Sequence, residues 1–273
     1  MPKRVQSPSS INTFKQCPRR YYYQYIKKLP TYPNIYTVRG NIVHSALERF
    51  FEINPDTIDP SDFKPELASY LSNLFEAFWR KRDSELNRYT KSPDQKKIFY
   101  DESRMMLGNW LNSFFDRLKE EMNDLSFAEA FDKIKPVKVE VEYRSEKHSV
   151  RGFIDVIEEN DGEIKLVDYK TSKVKKRISK EYKLQLSIYA LLYKEKHGVL
   201  PSKVSIWFLR GSEEILPVDE QMVKDAAFEI EQIHFATESS AISDYKTNIT
   251  PLCKWSNGQC DFYDFCIKDR NSF

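Results

Sequence analysis

Two aspartates and a lysine on neighbouring β-rich runs have the residue types and spacing for metal-dependent chemistry. Asp155 lies in the first run, and Asp168 and Lys170 lie in the second. The runs are joined by Asn160-Asp161-Gly162, and Asp-Gly between β-rich segments is a strong hairpin signal. Residues two apart on a strand project from one face, so Asp168 and Lys170 share a face. Because such a pair is costly to bury, its place on an apolar strand predicts a function.

Carboxylates from neighbouring strands can hold a hard divalent cation such as Mg²⁺. A lysine beside that cation could position an attacking water or neutralise a phosphate. The expected reaction of Asp155, Asp168 and Lys170 together is hydrolysis of a phosphodiester.

Hydrophobic periodicity predicts the elements that must position these residues. A first helix is expected after Ser7-Pro8-Ser9-Ser10, and a turn-rich tail covers 250–273. The other predicted helices span residues 39–53, 62–87, 94–120, 181–196 and about 219–236. The predicted strands span residues 137–143, 149–158, 163–169 and 204–209. This order predicts a single α/β domain over residues 1–273, with a helical insertion at 62–130.

The composition is that of a globular protein, with 40% hydrophobic and 31% charged residues among 273. No apolar run reaches the ~18 residues of a membrane-spanning helix. The start, Met1-Pro2-Lys3-Arg4, lacks an apolar signal region. We therefore expect a cytoplasmic protein that does not enter a membrane.

The net charge of +2 conceals two basic segments. Residues 1–47 contain no Asp or Glu and eight Lys or Arg, and residues 170–183 contain seven Lys or Arg against Glu181 alone. Such segments indicate either a surface for a polyanion or a solvated face. In the first segment, Arg19, Arg20 and the Tyr21–Tyr23 run could bind a nucleic-acid strand through phosphate contacts and stacking. Part of the tyrosine run is expected in the core, because three consecutive residues cannot share one helix face.

Four cysteines form one pattern, with Cys17 near the start and Cys253, Cys260 and Cys266 in the tail at C-x6-C-x5-C spacing. Disulfides are not expected in a cytosolic protein. Four thiolates can bind zinc or an iron–sulfur cluster, and they can also stay unliganded in a core. Structural zinc usually uses close C-x2–4-C pairs, which this chain lacks. The spacing therefore favours a cluster that joins the two ends of the chain, with zinc and free cysteines as alternatives.

Five motifs in the same order resemble the RecB-type branch of the PD-(D/E)XK nuclease superfamily, in particular its iron–sulfur members. These members are helicase–nuclease subunits of bacterial recombination and CRISPR-associated nucleases of spacer acquisition. The motifs are the opening Ser7–Ile11 with Cys17–Tyr23, then Gly40-x-x-x-His44, Gly152-x-x-Asp155, Asp168-Tyr169-Lys170-Thr171 and Gln185-x-x-x-Tyr189. Two departures are an apparent insertion, Ser256–Gln259, between Cys253 and Cys260, and Ile154 in place of the proline that names the superfamily.

The resemblance implies a restriction-endonuclease-like mixed sheet flanked by helices, and a role for each motif residue. His44, Asp155, Asp168 and the main-chain carbonyl of Tyr169 would bind Mg²⁺ or Mn²⁺. Lys170 would orient or activate the attacking hydroxide. Gln185 and Tyr189 would lie beside the lysine and the DNA strand. Cys17, Cys253, Cys260 and Cys266 would hold a structural 4Fe-4S cluster.

Each role has a structural alternative. His44 could be a packed histidine, the aspartates could form salt bridges with Arg151 or Lys170, and Tyr189 could be an ordinary helix residue. Glu48, one helical turn after His44, could support a second ion. Glu140 and Glu142 are weaker candidates, because one of them is expected to face solvent.

We therefore expect a metal-dependent DNA nuclease, an exonuclease on single-stranded or end-containing DNA in repair, recombination or spacer acquisition. No phosphate-binding G-x-x-x-x-G-K-[ST] motif is present, so unwinding would require a helicase partner. CRISPR adaptation proteins are the other candidate partners. The alternatives are an inactive nucleic-acid-binding module of the same fold and, more remotely, a thiol redox protein, although the chain lacks C-x-x-C.

Overall fold

The computed structural model describes residues 3–173, 178–256 and 258–271 of the chain. Three cations of the second basic segment, Lys175, Lys176 and Arg177, lie outside these ranges. So does Asn257, within the apparent insertion between the tail cysteines.

A mixed five-stranded sheet forms the centre of the molecule, with the strands in sequential order. Its strands are β1 (Lys138–Ser145), β2 (Val150–Asn160), β3 (Glu163–Lys170), β4 (Lys203–Phe208) and β5 (Glu213–Pro217). Neighbouring strands are antiparallel except β3 and β4, which are parallel. The β2–β3 hairpin is confirmed: Asn160 pairs with Glu163, and Asp161 and Gly162 form the turn with φ of 49° and 80°.

Helices cover both faces of the sheet, so the α/β class and the flanked mixed sheet are confirmed. Before the sheet come α1 (Pro8–Gln16), α2 (Pro18–Tyr21), α3 (Ile35–Phe50), α4 (Phe63–Lys81), α5 (Asp83–Tyr89), α6 (Pro93–Glu121) and α7 (Phe127–Ile134). Within and after it come α8 (Lys180–His197), α9 (Glu220–Ala236) and α10 (Tyr263–Asn271). A π-helical turn, Tyr22–Ile26, follows α2, and short 3-10 turns span Pro55–Thr57 and Ile242–Asp244. Within the described ranges, no helix combines the length and apolar character needed to cross a membrane.

The two faces of the sheet bury two separate cores. Helices α3 to α7 pack on one face around Trp110 and Phe131, together with Val156 and Tyr169 of the sheet. Helices α1, α8 and α9 pack on the other face around Ile188 and Leu191, together with Ile154 and Leu166. The sheet therefore lies between a helical layer built before it in the chain and a layer built largely after it.

Several predicted boundaries were wrong for local reasons. The predicted helix 62–87 divides at Arg82, whose φ and ψ of −103° and 13° end α4 before α5 begins. Helix α3 begins four residues earlier than predicted, because the Asn34 side chain caps it by accepting from the amides of Tyr36 and Thr37. The tail, predicted as turns, contains α10 and a two-residue pairing of β6 (Lys254–Trp255) with β7 (Gly258–Gln259). Helix α7 and strand β5 were not predicted.

The two ends of the chain meet in a third, aromatic core. It contains Tyr21, Tyr22, Tyr23, Tyr245 and Phe262, each at most 3% exposed. Stacking of DNA bases on the Tyr21–Tyr23 run was therefore a wrong prediction. Three consecutive residues can all be buried here because the tail wraps the turn that carries them.

Gly152 allows helix α8 to lie close to strand β2. A Cβ atom at this position would stand 2.9 Å from the ring of Tyr189 and 3.1 Å from Leu192. The Tyr189 ring is itself buried at 5% exposure and cannot easily move away.

We expect Gly152→Ala to lower the free energy of unfolding by about 1–3 kcal/mol, as overpacking of a core does. The matched control is Gly108→Ala, because a Cβ there meets nothing within 4 Å. Alanine in the middle of α6 should stabilise the protein by about 0.8 kcal/mol. Urea denaturation of both variants measures the difference, and equal stabilities would contradict the close approach of α8 to β2.

Candidate metal centre and active site

The candidate site begins where strands β2 and β3 stop pairing. Their ladder ends at Val156 opposite Val167, and in the same register the next two opposing residues are Asp155 and Asp168. Asp155 replaces the missing rung with its side chain, because its Oδ2 accepts from the amide of Tyr169 at 2.7 Å. The end of the ladder thus brings both predicted carboxylates together.

Strands β1 and β2 change their side-chain phase at the same place. Val139 packs on the core of α3 to α7, but Val141 packs on the opposite core, although simple alternation would put both on one face. Ile154 and Val156 differ in the same way. Between these pairs lie Asp155 and Glu140, and Glu140 has a φ of 47°, which is unusual for a residue with a side chain. This local distortion turns Glu140 toward the site.

His44 approaches these carboxylates from helix α3. Its Nδ1 lies 3.5 Å from Oδ1 of Asp155 and 3.8 Å from Oε1 of Glu140. Ligand atoms of the three residues all lie within 4.8 Å of one another. Burial alone would lower the pKa of His44, but Asp155, Glu140 and Asp168 outweigh it and raise that pKa to about 10.

Asp168 is the most buried member of the site, with 2% exposure. Its Oδ1 accepts from Nε2 of Gln185 at 2.7 Å and from the hydroxyl of Tyr189 at 3.4 Å. Gln185 Nε2 also donates to the Tyr189 hydroxyl at 2.7 Å, so the two helix residues act as one unit. The pKa of Asp168 is raised to about 6, because burial and the nearby charge of Asp155 raise it more than Lys170 and His44 lower it.

Lys170 forms an ion pair with Asp168, with Nζ 2.5 Å from Oδ2. Its ammonium also lies over the ring of Tyr182, 5.3 Å from the ring centre. Burial alone would lower the pKa of Lys170, but the charge of Asp168 raises it above its ordinary value. Lys170 is therefore a cation next to the carboxylates.

The helical layer holds β3 in place. Trp110 of α6 donates from Nε1 to the hydroxyl of Tyr169 at 3.0 Å. Arg39, 2% exposed, donates to Glu102 of α6 at 2.6 Å and to the carbonyl oxygen of Thr171 at 3.2 Å. The strand end that carries Asp168 and Lys170 is thus fixed from both of its faces.

The arrangement fits a divalent cation. The two carboxylates of Glu140 and Asp155 beside the His44 imidazole are the oxygen and nitrogen donors that Mg²⁺ or Mn²⁺ accepts, and Asp168 lies opposite Asp155. Oδ2 of the buried Asp168 has no hydrogen-bond donor with acceptable geometry, although it contacts the Lys170 ammonium. The Nδ1 atom of His44 faces the carboxylates of Asp155 and Glu140, where an ion could bind between them. A cavity of about 350 Å³ opens here to solvent and is lined by His44, Asp155, Asp168 and Lys170 among others.

Every predicted catalytic and metal-binding residue is therefore placed in one neighbourhood. Tyr169 differs in that its side chain is buried under Trp110, so only its main chain can serve the site. Glu140 was predicted only as a weaker candidate, because the alternating sequence around it gives no sign of the distorted backbone that turns it toward the site. Glu142, its partner in the pattern, is exposed and pairs with Arg151 at 3.2 Å. Glu48 lies outside the group formed by His44, Glu140 and Asp155, and a second ion there stays a prediction.

The four cysteines line a single cavity of about 120 Å³ between the start of the chain and its tail. Cys260 donates its amide to the carbonyl oxygen of Cys253 at 3.0 Å, and both cysteines are half-buried. Among the residues that the structure describes, no three cysteines bring their sulfur atoms within 4.8 Å of one another. The thiols thus converge without the close contact of a compact four-thiolate site.

Arg19 serves this junction and does not face DNA. It is buried, donates from Nε to the carbonyl oxygen of Tyr245 at 2.7 Å, and lies 4.0 Å from Asp269. The predicted phosphate contact of Arg19 was therefore wrong, because the tail occupies its guanidinium.

Comparison with known proteins agrees with this geometry. A family model for the PD-(D/E)XK nuclease superfamily matches residues 6–267. The crystal structure of a "Putative exonuclease" from Eubacterium rectale is similar in fold, with a TM-score of 0.50 and 12% sequence identity. The match covers 96% of this chain and 92% of that one. No curated protein matches the sequence.

Glu140 and Glu142 provide a matched test of the metal centre. We expect Glu140→Ala to weaken Mn²⁺ binding by at least about tenfold, the lower end of the effect of removing groups around a bound metal. Glu142→Ala removes an equal charge from the same strand and should change the affinity less than about twofold, as surface ion pairs are weak. Isothermal titration with Mn²⁺ measures both, and equal losses would mean that net charge alone attracts the ion.

Proposed function

This chain belongs to the PD-(D/E)XK nuclease superfamily, and on that basis we propose that it is a metal-dependent DNA nuclease. The observation that carries the proposal is the convergence of His44, Glu140 and Asp155. It lies beside the Asp168–Lys170 ion pair, at a cavity lined by His44, Asp155, Asp168 and Lys170 among others. We further propose exonuclease action on single-stranded or end-containing DNA. The motif resemblance supports this finer activity, and the name of the E. rectale protein agrees with it.

His44, Asp155 and Asp168 would hold Mg²⁺ or Mn²⁺, with the main-chain carbonyl of Tyr169 as a further ligand. The position of Glu140 adds it to this set. Such an ion lowers the pKa of a bound water and stabilises negative charge on the phosphate oxygens. Of these ligands Asp168 is the best fixed, because Gln185 and Tyr189 hold one of its oxygens and leave the other toward Lys170.

Lys170 would contribute a positive charge from the protein itself, in addition to that of the metal ion. Its ammonium would orient the attacking hydroxide and offset the charge that develops on the phosphate. The raised pKa keeps this group charged at neutral pH, because Asp168 stabilises the ammonium. Tyr182 limits its motion from the other side.

We propose that the cysteines hold a structural 4Fe-4S cluster that joins Cys17 to the tail. A tetrahedral zinc ion with Zn–S bonds of about 2.3 Å needs sulfur atoms about 3.8 Å apart. The four thiols line one cavity, and among the described residues no three of them lie within 4.8 Å of one another. A cubane cluster holds its thiolates farther apart, because each of them binds a different iron atom. Zinc is the lesser alternative.

The cellular role that we propose is DNA repair or recombination, or CRISPR spacer acquisition, with a helicase or adaptation proteins as partners. The support for this context is the resemblance of the five motifs and four cysteines.

Lys170→Met and Asp168→Asn test the catalytic assignment. Each change keeps the size of the side chain and removes its charge, so we expect the cleavage rate to fall at least about 100-fold. The measurement is the initial rate of cleavage of end-labelled single-stranded DNA with Mg²⁺ or Mn²⁺, and with EDTA as a blank. The position of the label in the products reports exonuclease action and its polarity.

Lys196→Met is the control for these variants, because Lys196 is exposed near the far end of the same helix that carries Gln185. It should cleave at the wild-type rate. Full cleavage by Asp168→Asn protein would falsify the assignment of the site. Wild-type protein that binds DNA but cleaves it with neither metal would favour the inactive binding module.

Cys260→Ser tests the cluster. Protein purified without oxygen should contain iron and sulfide and absorb near about 400 nm, as iron–sulfur proteins do. The variant should lose the iron and melt at a lower temperature, because the two chain ends are no longer joined. Leu252→Ser, an exposed change on the same tail, should keep both properties. If the wild-type protein contains one zinc ion per chain, the site is a zinc site. If it contains no metal, both the cluster and the zinc assignments are wrong.

A further inference from the structure

An exposed aromatic ring stands beside the carboxylates on strand β2. Phe153 is 49% exposed, although its neighbours Gly152 and Ile154 are buried under α8. Asp155 lies two positions further along the strand, which places the two Cα atoms about 7 Å apart. Single exposed apolar side chains are common on protein surfaces, so exposure alone would carry no argument. What distinguishes Phe153 is its position beside the proposed reaction centre.

Phe153 lies where two cavities join. The cavity of about 350 Å³ over the carboxylates and a larger one of about 960 Å³ toward α1 share Phe153, Lys170, Tyr182, Gln185 and Tyr189 in their walls. Together they form a continuous groove between α1 and α8, which we call the α1–α8 groove. One end of it is the metal centre.

Cations outnumber acidic residues among the described residues that line the larger part of the α1–α8 groove. Its larger part is lined by four cations, Lys15, Arg151, Lys170 and Lys180, and by one acidic residue, Glu181. Three of these cations have acidic partners, since Glu229 and Glu142 pair with Lys15 and Arg151 from outside the groove and Asp168 pairs with Lys170, so their charges are already partly neutralised.

The first residues of helices α1 and α8 also line this groove, at Pro8 and Ser9 and at Lys180 and Glu181. Helix N-termini carry partial positive charge and favour phosphate groups. The cations and the two helix starts therefore describe a path for a phosphate backbone that ends at Asp155 and Asp168.

We propose that the α1–α8 groove takes one unpaired DNA strand and that Phe153 stacks on the base next to the phosphate being cleaved. This inference rests on the proposed nuclease function and names its substrate form. A base in a duplex is stacked on both faces and paired at its edge, whereas an unpaired base has a face free for an aromatic ring. Phe153 therefore acts as a specificity-determining residue that favours single strands over duplex.

The test compares Phe153→Ala with Phe153→Trp and with Phe235→Ala. Phe235 is 80% exposed on α9 and does not line the groove, so its loss controls for removal of a surface ring. Binding is measured in EDTA, where metal-dependent cleavage does not occur, to a single-stranded oligonucleotide that carries the fluorescent base 2-aminopurine near one end. The same strand annealed to its complement as a blunt duplex is the second probe.

We expect Phe153→Ala to weaken single-strand binding about tenfold, within the range for loss of one base–aromatic stack, and to abolish quenching of 2-aminopurine. Phe153→Trp should restore both, because tryptophan also stacks. Phe235→Ala should match the wild type. Duplex binding should change less than about twofold in every variant. The magnesium-dependent cleavage rate of single strands should fall with the affinity of the Phe153→Ala protein.

The outcomes separate this inference from the function on which it rests. If wild-type protein cleaves single strands and Phe153→Ala binds and cleaves them equally well, the stacking role is wrong and the nuclease stands. If the alanine variant loses duplex and single strands alike, Phe153 is a general contact and the preference for single strands is wrong. If the wild type neither binds nor cleaves DNA, both proposals fall.

Discussion

Two carboxylates at opposing positions of a sheet, one of them almost fully buried, are the constraint on which the rest of this structure depends. Asp155 and Asp168 occupy the first unpaired rung of the β2–β3 hairpin. Burying ionised carboxylates costs several kcal/mol each unless partners compensate them. Asp155 is compensated by the amide of Tyr169 and by His44, and Asp168 by Lys170, Gln185 and Tyr189. Helix α3 carries His44 and helix α8 carries Gln185 and Tyr189, so both helices must pack close to Asp155 and Asp168. Gly152 allows α8 to approach strand β2 closely enough.

The same place contains the clearest departure from regular backbone in the sheet. Strands β1 and β2 reverse their inward faces around Glu140 and Asp155, and Glu140 has a φ of 47°. A non-glycine residue in this region costs of order 1 kcal/mol and persists only where the surroundings determine it. Here the distortion adds the Glu140 carboxylate to the group formed by His44 and Asp155, which is the candidate metal site.

The two ends of the chain depend on each other through a different interaction. The aromatic core of Tyr21–Tyr23, Tyr245 and Phe262 closes the start of the chain against the tail, and the buried Arg19 bonds across the junction. The cysteine cavity lies next to this core. The same N-terminal segment supplies α1, one wall of the α1–α8 groove, so the aromatic junction also supports the approach to the candidate metal site.

The sequence by itself determined the elements with strong periodicity, the Asp161-Gly162 hairpin and the identity of the residues that meet at Asp155 and Asp168, because residue type and local spacing encode these features. The sequence did not determine that Glu140 belongs to the site. Strand alternation places Glu140 and Glu142 on the same face, and only the distorted backbone at Glu140 distinguishes the two. The sequence also misassigned Arg19 and the Tyr21–Tyr23 run, because a basic aromatic segment has the same composition whether it faces a nucleic acid or its own tail. Tertiary structure decided these cases: burial and convergence depend on which distant segment of the chain covers a residue, and local spacing carries no record of that partner.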